Sequence, residues 1–298
     1  MNSTHNKQAH TEQLPAIPCW QQPLLISFSG GRTSAFMCRF ILDHPKYKDR
    51  QKLFVFANTG KEFEETLIFA DKIDKEWGLN LVWIEAEINP EKGKGVEPKI
   101  VTFETASRKG EPFEALIKKF GLPSKTLRFC TRDLKDRPIH KYAKQILGNT
   151  YETAIGIRAD EPHRMTENPG FVYPLAELNI DEKFVRNWWD KQGFDLNLKD
   201  YEGNCDLCFL KSKRKKLTLV AERPEIADWW QQMEEKYGTE YQSKFDEIRK
   251  LSISDLVKLA ELPFTKAIDK QELRGQQLSL FDINADMDLE YDCFCKNT

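Results

Sequence analysis

The 298-residue sequence predicts an α/β fold with a mainly parallel sheet covered by helices on both faces, followed by a helical C-terminal region. Three observations carry this reading. Apolar runs of strand length alternate with amphipathic segments of helical period, the pattern of βαβ units. One of these runs, Leu24 to Phe28, passes through Ser29-Gly30-Gly31 straight into an amphipathic segment. Beyond about Ile180 the alternation stops and only helical patterns follow.

Taken in order, residues 1 to 23 are polar, contain His5, His10, Pro15, Pro18 and Pro23, and read as a flexible arm without the apolar core of a signal peptide. Strands are expected at Leu24 to Phe28, Leu53 to Ala57, Leu81 to Ile84, Thr153 to Ile157 and Phe171 to Leu175. Helices are expected at Ser34 to Asp43, Glu62 to Trp77, Pro112 to Phe120 and Leu134 to Leu147. These elements make up an expected nucleotide-binding domain over residues 24 to 179. A helical region over 180 to 264 opens with Asp181 to Trp189 and continues with Pro224 to Tyr237 and Ser254 to Leu262, each with a good start signal. Residues 265 to 298 form a polar, increasingly acidic tail that reaches Asp292-Cys293-Phe294-Cys295.

Composition narrows the function classes. A formal net charge of −2 argues against a wholly basic nucleic-acid binder. No apolar run approaches the roughly 20 residues needed to span a bilayer, so no membrane partner is expected and a cytoplasmic enzyme is the default. In a reducing compartment the seven cysteines read as ligands, nucleophiles or core residues in preference to structural disulfides.

The Ser29 to Ser34 loop is the first candidate site. Gly30 and Gly31 permit close backbone approach, Ser27, Ser29, Thr33 and Ser34 offer hydroxyls, and the helix that follows points its N-terminal N–H groups at one place. Such a concavity favours a phosphate, although an ordinary βα turn has the same outline. The loop lacks the spacer and Gly-Lys-Ser/Thr ending of a Walker A loop, and it is not G-x-G-x-x-G.

The cysteines are the second. Cys205 and Cys208 form C-x-x-C, Cys293 and Cys295 form C-x-C, and Cys130 lies in Phe-Cys-Thr-Arg. Thiolates from separated segments suit a tetrahedral zinc site or an iron–sulfur cluster, with a redox pair or unrelated buried thiols as the alternative. Cys38 reads as core and Cys19 as incidental. Among charged groups, Arg158, Asp160, Glu161 and Arg164 follow a strand ending at Gly156 and suit phosphate or sulfate oxygens, with Mg²⁺ possible at the carboxylates. A salt-bridge cluster is the bland alternative. Lys125, Arg128, Arg132, Lys135 and Arg137 surround Cys130, and a cationic setting favours a thiolate. Asn58, Thr59 and Glu62 are placed to meet a ribose or adenine, while a helix cap explains Thr59 and Glu62 equally well. The basic run Lys211 to Lys216, with Trp188, Trp189, Trp229 and Trp230, reads either as a nucleic-acid contact or as a solvated helix face beside core tryptophans.

Ser-Gly-Gly-Arg-Thr-Ser resembles the PP-loop S-G-G-x-D-S of adenine-nucleotide hydrolases. Phe56 to Glu62 with Thr66, Phe129 to Pro138, Gly156 to Glu161 with Arg164, and Cys205 to Cys208 follow in the order seen in the phosphoadenosine-phosphosulfate (PAPS) reductase-like family. The resemblance covers roughly residues 24 to 210. It implies a Rossmann-like, adenine nucleotide alpha hydrolase-like sheet that binds ATP or a related adenine nucleotide through Ser27, Ser29, Gly30, Gly31, Arg32, Thr33, Ser34, Asn58, Thr59, Gly156, Arg158, Asp160, Glu161 and Arg164. It implies catalytic roles for Arg132, Lys135, Arg158 and Cys295. It also implies a [4Fe-4S] cluster, with zinc as the alternative, on Cys130, Cys205, Cys208 and one of Cys293 or Cys295.

The first activity so implied is ATP-dependent activation of an acceptor for sulfur transfer, with a cysteine desulfurase or other sulfur donor and a nucleic-acid acceptor as candidate partners and a homo-oligomer left open. The second is sulfonucleotide reduction by a tail cysteine. The third is a non-catalytic nucleotide- or DNA-binding module with a structural metal. Two departures matter. Thr33 stands where the family loop has an acidic residue, and the tail lacks the Gly and His of the reductases' E-C-G-x-H.

Overall fold

The computed structural model describes residues 22–91, 93–124, 127–203, 205–238 and 251–269. Its centre is a six-stranded sheet of β1 (Leu24–Phe28), β2 (Lys52–Ala57), β3 (Val82–Ile88), β4 (Val96–Val101), β5 (Glu152–Ala154) and β6 (Phe171–Val172), in the order β4-β3-β2-β1-β5-β6. Five strands run parallel. The edge strand β4 pairs antiparallel with β3, Glu85 opposite Lys99.

The strands are apolar because the sheet is covered on both faces. Successive side chains alternate between the faces. Leu25, Val55 and Ala57 pack with Ile139, Ala143 and Leu147 of α5 (Arg137–Leu147). Ile26, Phe54 and Phe56 join a second, larger cluster with α1 (Arg32–Asp43) and α2 (Glu64–Trp77). That cluster also takes in Val185 and Trp189 of α7 (Glu182–Trp189), Leu217 and Leu219 of α8 (Lys213–Glu222) and Trp230 of α9 (Glu225–Tyr237). Trp188 meets Phe36 edge-on at 5.1 Å between ring centres. Among the described residues the remaining α-helices are α3 (Glu111–Phe120), the short α4 (Phe129–Thr131), α6 (Pro174–Glu177) and α10 (Ile253–Ala260), the last opened by a capping box between Ser252 and Asp255.

Several expectations need correction. The strand at Thr153 to Ile157 ends at Ala154, and the one at Phe171 to Leu175 gives way at Pro174 to α6, where proline suits a first helical turn. The helix expected from Leu134 begins at Phe129, runs π-helical over Arg132–Asp136, and becomes α-helical only at Arg137. Thr59 and Glu62 do not cap α2, whose N-cap is Phe63. Glu62 turns back instead and accepts from the Thr59 backbone N–H at 2.8 Å. Within the basic run, Lys211 and Lys216 are not solvated. Lys216 is 1% exposed, and Lys211 donates to the carbonyls of Cys205 at 2.6 Å and Asp206 at 3.2 Å. Trp189 and Trp230 are core, and Cys38 is a wholly buried thiol that desolvation pushes far above its usual pKa.

Candidate functional site

Strand order reverses between β1 and β5. In open parallel sheets such a switch point opens a crevice beyond the carboxyl ends of the strands. Here it is a cleft of about 330 Å³. Its floor is the loop from β1 into α1. Gly30 has φ +84°, and a Cβ there would stand 2.5 Å from Thr66 Cγ2, so only glycine fits the turn without displacing α2. Ser34 Oγ donates to Gly31 O at 3.0 Å and accepts from Ser29 N at 3.2 Å, closing the loop on itself. The loop from β5 passes directly above. A Cβ on Gly156 would lie 3.3 Å from Ser34 Cα.

The first turn of α1 has no side-chain cap and no acidic residue. Its N–H groups and the positive end of its dipole therefore face the cleft uncompensated. Among the described residues eight lysines and arginines line the cleft against three carboxylates. Arg158 is engaged by several groups at once. It donates to Thr33 Oγ1 at 3.3 Å, pairs with Asp160 at 2.9 Å and reaches Glu161 at 3.4 Å. Burial would raise the Asp160 carboxyl, but the adjacent guanidinium outweighs it and holds that group below the usual range. Glu161 also pairs with Arg164. Val185, Leu196, Leu198, Tyr201, Leu210 and Ile268 supply an apolar wall.

A second, apolar cavity of about 10 Å³ adjoins the cleft, with Cys130, Cys205, Cys208 and Trp230 in its wall. Cys205, Cys208 and Lys135 line both spaces. The π-helical turn explains how Cys130 and Lys135 come to share a face. Five residues apart, they would stand on nearly opposite sides of a regular α-helix, and the wider turn with hydrogen bonds from i to i+5 brings them closer round the axis. Lys135 Nζ lies 3.5 Å from the buried Glu62 carboxylate. The C-x-x-C segment is docked by an isolated antiparallel bridge between Glu62 and Cys205. Beneath it, the Lys61–Asp206 ion pair is buried at 2.6 Å, with Trp230 Nε1 donating to the same carboxylate at 2.9 Å.

The structure thus brings Ser29, Gly31, Arg32, Thr33, Ser34, Lys135, Gly156, Arg158, Glu161 and Arg164 to the cleft, with Cys205 and Cys208 at its edge. Other expected site residues stand behind it. Gly30 shapes the turn, Ser27 lies within β1, and Asp160 touches Arg158. Asn58 is fully buried and donates to Glu85 Oε1 at 2.7 Å. Thr59 faces the thiol cavity, and the half-exposed Arg132 pairs with Asp133. Arg32 lines the cleft, yet its guanidinium is committed to Asp195 at 2.6 and 2.7 Å and to Leu198 O at 3.0 Å. Cys293 and Cys295 lie outside the described residues. Sequence reasoning missed Glu182, Arg186 and Lys199, which enter the cleft from the helical region, and Ile268, which follows it. The charged stripe on Asp181 to Trp189 was the one available signal.

Among the described residues no three histidines, cysteines or carboxylates stand close enough to hold a metal ion. The donor chemistry of the three cysteines suits a thiolate-bound centre. Cys130, Cys205 and Cys208 share the wall of one small cavity of about 10 Å³.

A family model described as the phosphoadenosine phosphosulfate reductase domain matches residues 23–172. The chain belongs to this family. An uncharacterized nin region protein of Escherichia phage lambda is 38% identical over 198 residues, covering 64% of this chain and 67% of the phage protein. Two uncharacterized proteins of Methanocaldococcus jannaschii are 24% and 29% identical over 240 and 119 residues. These matches cover 74% and 40% of this chain but 43% and 22% of the archaeal proteins. The matched span carries the cleft floor and the β5 loop. It also carries Cys130, but stops before the C-x-x-C. No helix among the described residues is long and apolar enough to cross a membrane.

Proposed function

We propose that the chain is an enzyme of sulfur chemistry that binds an adenine nucleotide in the switch-point cleft. The observation that carries this is the uncapped, acid-free start of α1 facing a cleft rich in lysine and arginine, with two cysteines in its wall. The nucleotide's anionic groups lie against the N–H groups at the start of α1, with Lys135, Arg158 and Arg164 around them. The base lies on the apolar wall from α7 and the segment before α8. Positioned donors of this kind stabilise negative charge as it develops on a leaving oxygen.

In the first route an acceptor oxygen attacks the α-phosphorus of ATP and pyrophosphate leaves with the bonding electrons. The terminal sulfur of a persulfide, supplied by a cysteine desulfurase, then displaces AMP from a nucleic-acid acceptor; a second thiol cleaves the resulting disulfide, leaving sulfur on the acceptor and an enzyme disulfide that an external dithiol reduces. In the second route a thiolate attacks the sulfur of a sulfonucleotide. The S–O bond breaks and the nucleotide leaves with the electron pair. A second thiol then releases sulfite and closes a disulfide, which an external dithiol reduces. Thr33, in place of a loop carboxylate, counts against the first route, and the tail's lack of the Gly and His of E-C-G-x-H counts against the second, whose nucleophile is Cys293 or Cys295.

The proposal extends to a [4Fe-4S] cluster, or zinc, on Cys130, Cys205, Cys208 and one of Cys293 and Cys295. Iron, acid-labile sulfide and zinc measured on anaerobically purified protein decide between them, and no step above runs through a metal. Anaerobic protein is to be assayed for pyrophosphate release from ATP and for sulfite release from PAPS. Turnover of either, lost on Cys205→Ser, supports the reading. Absence of both activities and of nucleotide binding contradicts it.

A further inference from the structure

Resting on that reading, we infer that the cleft takes its adenine nucleotide without a divalent cation, the Arg158 guanidinium standing where a loop-bound Mg²⁺ would be held. Two independent features of the cleft lead there.

The first is local. The loop position that would carry a metal-binding carboxylate is Thr33, and Arg158 Nη1 reaches its hydroxyl at 3.3 Å. A cation already occupies the neighbourhood of that side chain. Arg158 is itself mostly buried. Desolvation works against its charge, but Asp160, Glu161 and Glu182 more than offset this and keep the guanidinium fully protonated.

The second concerns the carboxylates. Divalent magnesium is bound through one or two carboxylates together with phosphate oxygens. Among the described residues the carboxylates that line the cleft are Glu161, Glu182 and Asp200, and each is engaged by arginine. Glu161 holds Arg158 and Arg164. Glu182 holds Arg186 at 2.5 Å, and Asp200 holds the same guanidinium at 2.8 Å. A metal ion could enter only by displacing one of these guanidinium groups, from a wall already in excess of positive charge. An arginine instead offers planar, paired N–H donors to phosphate or sulfate oxygens. Anion recognition by guanidinium groups and helix N–H groups alone is therefore what this wall is built for.

The test is calorimetric titration of the full chain with ATP and, separately, with PAPS, each in millimolar Mg²⁺ and in excess EDTA. Binding at least as tight in EDTA as in Mg²⁺ supports the inference. Binding that needs Mg²⁺ overturns it and leaves the parent reading standing. Binding of neither nucleotide in either condition overturns both. In EDTA, Arg158→Gln should weaken binding roughly 10- to 100-fold, the size of a lost charge-assisted contact, while Arg158→Lys should recover part of the loss. Thr33→Asp places a carboxylate beside Arg158 and should weaken binding in EDTA, with Mg²⁺ now restoring it. Undiminished binding by Arg158→Gln in EDTA would also overturn the inference. Circular dichroism of each variant separates a binding defect from misfolding.

Discussion

Replacing Gly30 by alanine tests whether the cleft floor is set by the close approach of the loop to α2. The residue has φ +84°, a conformation that costs an ordinary residue about 1–2 kcal/mol. The new methyl would also stand 2.5 Å from Thr66 Cγ2 and 3.1 Å from Phe56 Cε2, in a packed interior. Overpacking of this kind costs about 1–3 kcal/mol. Together these give a destabilisation of about 2–5 kcal/mol, read as a shift in the urea midpoint at unchanged slope. The two contributions can be separated. Thr66→Ser removes the offending methyl, so in the Gly30→Ala, Thr66→Ser double variant the steric part should largely vanish. A residual of about 1–2 kcal/mol from backbone conformation should remain. Nucleotide affinity should fall with Gly30→Ala and recover partly in the double variant. A Gly30→Ala protein of unchanged midpoint, or a double variant whose losses simply add, would refute the reasoning.

Three further outcomes follow from the same geometry. Lys61→Met leaves Asp206 buried without its 2.6 Å partner and should cost about 3–5 kcal/mol by denaturant titration, the C-x-x-C segment becoming accessible to thiol reagents. Lys135, whose side chain is 20% exposed, lines both the cleft and the thiol cavity; Lys135→Ala should lower turnover at least about 10-fold. At Asp195, burial would raise the carboxyl, but Arg32 outweighs it and holds the group below its ordinary value. The folded state then binds fewer protons than the unfolded one. This stabilisation is complete above the unfolded value near about pH 4 and is lost as pH falls through the folded one. Acid titration of stability should show that loss in the wild type and a flatter acid limb in Asp195→Asn.

What the sequence disclosed, and what it hid, has physical reasons. The strands β1 and β2 are buried on both faces, so their apolar runs are unmistakable. Strand β4 escapes notice because only Val96 and Val101 of its six residues are buried and Pro98 interrupts it, which an edge position tolerates. The loop and the segment after β5 were legible as candidate anion binders because their chemistry is local. The π-helical turn that brings Lys135 to the face of Cys130 leaves no periodic signature over five residues. Lys211 and Lys216 looked like a solvated basic run because the carbonyls that hold them, at Cys205, Asp206 and Phe209, do so only after the chain folds back. Arg32 sits within the recognisable loop, yet its partner Asp195 is 163 residues away, beyond any local reading.

The most direct test of the central claim is a crystal structure of the chain with an adenine nucleotide bound. The account places the phosphate or phosphosulfate oxygens within hydrogen-bond distance of the N–H groups that open α1, with Arg158 on the same oxygens and the base against Val185 and Leu198. A nucleotide seated elsewhere, with the Ser29 to Ser34 loop untouched, would contradict it.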